Sequence, residues 1–221
     1  MTEAINRFIE MLKSGDQAGP KQLLEAHPEL ANAKSEQGVS LLLFTAYFRN
    51  EPIKAILLEL KSALDIFEAA ACGQLDRVKE LLDKNPELIQ AYANDGFTAL
   101  GLAAFFGQEA IAKFLLEKGA NPNQVANNGM AVAPIHSAVA ANNSPIVQAL
   151  LQHGATVNAT QMQGVTALHS AAHRNNQEIV SLLLTNGAQK DLKMDDGKTA
   201  LDIAKEEGFE ELASFIANFP S

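Results

Sequence analysis

The chain has 221 residues, 47% of them hydrophobic and 19% charged, a balance that belongs to a folded protein and excludes disorder over any long span. Its 17 basic and 26 acidic residues leave a formal net charge of −9, and the basic ones are scattered singly, so there is no electrostatic footprint for nucleic acid or an anionic membrane. The acidic balance serves solubility first and an attraction for basic partners second.

From the amino terminus, the stretch between Met1 and Pro20 carries Glu3, Glu10 and Asp16 and no apolar run suited to a signal peptide or a membrane span. This predicts a cytoplasmic protein; secretion without a signal leaves no such trace, so an exported effector that binds the proteins of another cell stays open as an alternative. LLEAHPEL at Leu23 to Leu30 returns as LLDKNPEL at Leu81 to Leu88, and the same offset persists through Gly38 and Gly96, Leu42 and Leu100, Ala46 and Ala104, Phe48 and Phe106. That offset spans two units, one of them short. Between Leu58 and Ile66, residues 59–65 must end one helix and begin the next, which leaves no room for an extended turn. Cys72 is the only cysteine, so no intrachain disulfide forms and a reducing compartment is implied. It ends a helix before Gly73, among Ala69, Ala70 and Ala71, as a structural thiol does.

The remaining chain repeats one phrase: NDGFTAL at Asn94 to Leu100, APIH at Ala133 to His136, GVTALH at Gly164 to His169 and DDGKTAL at Asp195 to Leu201. Ala99, Pro134, Ala167 and Ala200 mark its recurrence at intervals of about 33 residues, the period of a stacked array. No unit of such an array buries its own apolar face, so each leans on its neighbours. The unit from Gly96 continues through Thr98, Ala103, Ala104, Gly107, Ile111, Leu115 and Leu116 to Gly119, an order that predicts two short antiparallel helices. Thr98 caps the first, Ala103 and Ala104 keep it slim, and Gly119 stops the second. Pro134 forfeits only an orphan N–H at a helix start.

This pattern resembles the ankyrin repeat, whose unit of about 33 residues carries a TPLH motif, a β-turn and two helices. The LLxxxPEL endings are similar to those of bacterial members of that family. The resemblance implies an all-α ankyrin-repeat solenoid of about seven helix pairs with short β-hairpin fingers, one finger missing near residues 59–65. The single domain, 1–221, divides into an amino-terminal cap (1–37), a short unit (38–61), inner units (62–95, 96–128, 129–163, 164–196) and a carboxy-terminal cap (197–221). Lys205, Glu206, Glu207, Glu210 and Glu211 make the last cap polar. The implied function is a monomeric protein-interaction scaffold without catalysis or cofactor, whose partner is a protein or peptide with an apolar anchor.

In such a scaffold the two positions after the alanine pair face a concave groove. Here they are Tyr47 and Phe48, Ala71 and Cys72, Phe105 and Phe106, Ala140 and Ala141, His173 and Arg174, Glu206 and Glu207, aromatic or small toward the amino terminus and charged toward the carboxy terminus. The finger between Gly129 and Pro134 is longer than its neighbours and brings Met130 and Val132 toward its tip, unless the insertion folds back on adjacent fingers. The candidate partner-binding residues are therefore Tyr47, Phe48, Phe105, Phe106, Met130, Val132, His173 and Arg174. Phe48 and Phe106 have a second reading, as wedges of core between units.

His169 and His173 stand at i and i+4, a spacing that can hold a transition metal, and are the starting point of an alternative, a metal-dependent enzyme built on the scaffold. Against it, Ser170 stands where HExxH needs Glu. His136 and His169 also occupy the TPLH histidine position, whose ring, in the family, bonds within the turn. Asp95, Asp195 and Asp196 suit turn chemistry better than a calcium site of six oxygens. The glycines recur with the turns and form no phosphate loop or dinucleotide fingerprint.

Overall fold

The computed structural model describes residues 1–220, which form helices joined in antiparallel pairs. The pairs are α1 (Thr2–Lys13) with α2 (Gly19–Ala26), α3 (Leu41–Tyr47) with α4 (Glu51–Leu60), α5 (Ile66–Ala71) with α6 (Leu75–Lys84), and α7 (Ala99–Phe105) with α8 (Glu109–Glu117). They continue as α9 (Pro134–Ala140) with α10 (Ser144–Gln152), α11 (Ala167–His173) with α12 (Gln177–Thr185), and α13 (Ala200–Glu206) with α14 (Glu210–Asn218). The seven pairs expected from the repeat are all present. No helix among the described residues is long and apolar enough to cross a membrane.

Local chemistry sets the helix ends. Ser40, Thr98, Thr166 and Thr199 take extended backbone, and each hydroxyl accepts from the N–H three residues on; Asp65 does the same for α5. Ala133 has no such group, and Pro134 opens α9 instead. After α8, α10 and α12 come Gly119, Gly154 and Gly187 at φ +90°, +86° and +87°. An added Cβ there meets nothing within 4 Å, so the left-handed backbone alone demands glycine.

Two rows of helices stack. α5, α7, α9, α11 and α13 pack in succession as the inner row, with α6, α8, α10 and α12 behind them. Between inner helices lie wholly buried alanines, among them Ala69, Ala70, Ala103, Ala104, Ala138, Ala171, Ala172 and Ala204, while Ile111, Leu115, Ile146, Leu150, Ile179 and Leu183 fill the space behind. A second buried cluster, built on Phe8, Leu24, Leu30, Leu41, Leu42, Ile53 and Leu57, serves the amino-terminal units.

The fingers are smaller than hairpins. Three isolated antiparallel bridges, Lys34 to Ser40, Tyr92 to Thr98 and Thr160 to Thr166, are the β-structure among the described residues. Each finger carries a backbone bond across it, joining Ser35 to Val39, Ala93 to Phe97, Gln161 to Val165 and Met194 to Lys198, and across the longer finger Ala126 to Val132; the four shorter fingers add a turn bond, the N–H of Gly38, Gly96, Gly164 and Gly197 donating to Ser35 O, Ala93 O, Gln161 O and Met194 O. Neighbouring fingers are tied by single backbone bonds, from Asn127 N–H to Gly96 O, Met162 N–H to Met130 O and Asp195 N–H to Gln163 O, at 2.7, 3.0 and 3.0 Å, and Asn128 Nδ2 adds a side-chain tie to Asp95 O at 3.0 Å.

One finger is absent, as the spacing requires: residues 61–65 alone join α4 to α5. The fingers on either side close up, with Asn94 Nδ2 donating to Gln37 O at 3.4 Å and Tyr47 Oη to Asp95 Oδ2 at 2.8 Å. A buried ion pair seals the short connection. Lys61 Nζ lies 3.1 Å from Glu68 Oε1, with the two side chains 5% and 2% exposed; the ammonium neutralises this oxygen without meeting it along a hydrogen-bond direction. Lys61 Nζ also donates to Ala31 O, and Glu68 Oε2 accepts from the Asp65 N–H.

Removing one partner strands the other charge in the interior. Lys61→Met is expected to cost about 3–5 kcal/mol in urea unfolding, and adding Glu68→Gln, which keeps the cap acceptor, to restore most of it. Equal losses in the single and double variants would contradict the role given to the pair.

Candidate binding groove

The repeat places one residue of each inner helix in the same register just past its alanines: Phe105, Ala140, His173 and Glu206. The carboxy-terminal ends of α7, α9, α11 and α13, with the fingers before them, line an open groove of about 560 Å3. One end is apolar, formed by Phe97, Phe105, Met130 and Val132; Ser137, Ala140, Val165 and Ser170 line its middle; His173, Arg174, Asp196, Lys198, Glu206 and Glu207 line the other end. There Lys198 Nζ lies 2.6 Å from Glu206 Oε2, and His173 Nδ1 lies 3.1 Å from Glu207 Oε1. The Glu206 carboxylate, hydrogen-bonded to Lys198, holds the ammonium more firmly protonated than an ordinary lysine.

Behind the apolar end stands an aromatic cluster. Tyr47 contacts Phe105 and Phe106 at ring-centroid distances of 5.8 and 5.2 Å, Phe105 meets Phe106 edge-on at 5.1 Å, and Phe97 lies 6.5 Å from Phe105. The missing finger makes this possible, because the unit between Tyr47 and Phe105 offers only the buried Ala71 and Cys72 at groove positions. Burial, then the Asp95 carboxylate, keep the Tyr47 phenol protonated far above its usual range. Burial also pushes the Cys72 thiol up to about 12, which makes it an inert structural group.

Five of the eight candidate residues meet in the groove: Phe105, Met130, Val132, His173 and Arg174. Tyr47 and Phe106 stand behind it, half-buried, and Phe48 lies outside it, 40% exposed. Phe48 and Phe106, equivalent positions of the duplicated segment, thus part company. Phe106 packs on Tyr47 and Phe105, whereas the unit after Phe48 presents small residues and no finger. The groove also takes in Phe97 and Val165, which were not among the candidates, and Lys198. Their signal is present in the repeat: Phe97, Val132, Val165 and Lys198 each stand two residues before the first residue of an inner helix.

The backbone of the long finger is fastened to the next finger through Met130 O, while Met130 itself is 41% exposed at the groove.

The structure separates the two histidines. His169 is buried and has both nitrogens engaged: Nδ1 accepts from the Thr166 N–H at 3.1 Å, and Nε2 lies 3.1 Å from Leu192 O of the next finger. His136 repeats this with the Ala133 N–H at 3.1 Å and Ala159 O at 2.9 Å. An accepting Nδ1 fixes the proton on Nε2, so both rings are neutral ties between units. His173 is exposed beside Glu207, and His169 has no nitrogen left to share a metal with it.

A family model described as ankyrin repeats, in three copies, matches residues 66–126 and 135–219. The chain is 34% identical to mouse RelA-associated inhibitor over 117 residues, which are 52% of this chain and 14% of that protein. It is 36% identical to rat Ankyrin repeat and SAM domain-containing protein 6 over 110 residues, 49% of this chain and 12% of that protein. With human DNA-binding protein RFXANK it shares 35% identity over 102 residues, 45% of this chain and 39% of that protein. The chain thus spans only a minor part of each of these relatives.

Burial holds the pKa values of His136 and His169 below the ordinary histidine value. The unfolded chain therefore binds more protons, and stability is full above about pH 6.5 and falls as pH drops through the folded-state values. The urea midpoint is expected to decline between pH 7 and pH 5, and less so in a His136→Gln, His169→Gln double variant. An identical decline in both proteins would show that these rings do not carry it.

Proposed function

Because the chain belongs to the ankyrin-repeat family, we propose that it binds a protein or peptide partner through the concave groove and performs no reaction of its own. One observation carries this reading. Phe105 and Met130, 36% and 41% exposed, come from consecutive units yet open into one groove whose other end is charged. Aromatic and Met side chains held open on a rigid frame are the usual anchors of an interface, and a polar rim excludes water around them. Tyr47 and Phe106 support Phe105 from behind, and His173 and Arg174 belong to the rim. Phe48 serves as an outlying contact.

The engagement of His169 on both nitrogens supports a non-catalytic scaffold over the metal-dependent alternative. The name of human RFXANK assigns DNA binding to that protein; in this chain the charge of −9 and the carboxylates at the groove give a phosphate backbone nothing to hold. A lone buried thiol suits the cytoplasm, and the exposed Glu206, Glu207, Glu210 and Glu211 suit a stack that ends in water as a monomer.

Phe105→Glu is expected to remove a partly buried ring at a cost of about 1–2 kcal/mol, a fall of a few °C in Tm, and to abolish partner capture by the immobilised protein. Undiminished capture by the folded variant would remove Phe105 from the site. Collapse of the fold would make it core.

A further inference from the structure

The groove has a third feature besides its apolar and charged ends. Ser137 lines it, yet the residue is only 1% exposed, and its hydroxyl has no hydrogen-bond partner among the described residues. An unpaired buried hydroxyl is a standing cost, relieved when a ligand supplies the missing donor or acceptor. A bound α-helix has its backbone groups satisfied internally, whereas an extended segment carries free N–H and C=O groups along its length.

Charge selects the partner further. Residues 190–211 hold eight carboxylates and four lysines, and at the groove Asp196, Glu206 and Glu207 outnumber Lys198 and Arg174. Lys198 is already taken by Glu206, and Glu207 has only a histidine beside it. A cation is the complement this end lacks.

Resting on the groove as the docking face, we propose that its occupant is an extended peptide segment with an aromatic or large aliphatic anchor at the Phe105–Met130 end and a Lys or Arg at the Glu206–Glu207 end, its backbone meeting the Ser137 hydroxyl between them. Three helix-to-helix steps, from α7 to α13, separate the two ends. At about 8–10 Å per step this is roughly 24–30 Å, the reach of about seven to nine extended residues.

The test is selection of a random twelve-residue peptide library displayed on phage, followed by fluorescence-polarisation titration of the enriched peptides. They are expected to carry an apolar anchor and a Lys or Arg about seven to nine residues apart. Glu207→Lys is expected to weaken them about tenfold at low salt and less at high salt. Ser137→Ala is expected to weaken them about two- to fivefold while leaving the urea midpoint unchanged or raised, a pairing that a merely structural serine does not give. Peptides that lose affinity with Phe105→Glu but have no basic bias and ignore Glu207→Lys overturn the basic-partner assignment and leave the groove intact as a site. Full affinity in Ser137→Ala overturns the backbone contact. An empty selection, or binding that ignores Phe105→Glu, overturns this inference and the groove reading together.

Discussion

Close approach between inner helices is the constraint from which the rest of the molecule follows. Ala103, Ala104, Ala138, Ala171, Ala172 and Ala204 are wholly buried, and a larger side chain at any of them has to force two helices apart. Alanine is also the strongest helix former, so the residue that permits stacking also helps helices of barely two turns to exist at all. Those helices are too short to persist alone. What holds them is a cap at one end, a neighbour on either side and a row of Ile and Leu behind.

With the interior of the stack given over to small residues, recognition moves to the positions just past the alanines and to the fingers. The groove is therefore a consequence of the packing and not an addition to it. Loss of one finger near residues 61–65 changes its character locally. Tyr47 crosses the gap to reach Asp95 and Phe105, and an aromatic block forms where a regular array has a turn. The same gap leaves Lys61 and Glu68 buried together, so a deletion in the repeat appears in the structure as both an ion pair and an aromatic cluster.

Much of this was legible in the residues. The repeat period, the Thr and Pro starts, the Gly stops and the crowded connection between Leu58 and Ile66 pointed to the seven pairs and the missing finger, because each is a local backbone requirement. Phe105, Met130, Val132, His173 and Arg174 were within reach because the repeat register puts them on one face. What was not legible depends on neighbours across the stack. The duplication makes Phe48 and Phe106 equivalent, yet only Phe106 has aromatic rings to lean on. The fingers shrink to single bridges because a turn bond and a cross-finger bond within a finger, and one backbone tie to its neighbour, already engage their backbone groups. Nothing in the spacing of Ser137 shows that its hydroxyl has no partner.

The most direct test of the mutual support between units is removal of residues 197–221, which takes away α13, the inner helix packed against α11, together with α14. If neighbours hold each other folded, the shortened chain unfolds in urea at a clearly lower midpoint, because the freed face has lost its cover. If the midpoint stays in place and only the m-value shrinks with chain length, each pair of helices stands on its own and mutual burial is not what holds the stack together.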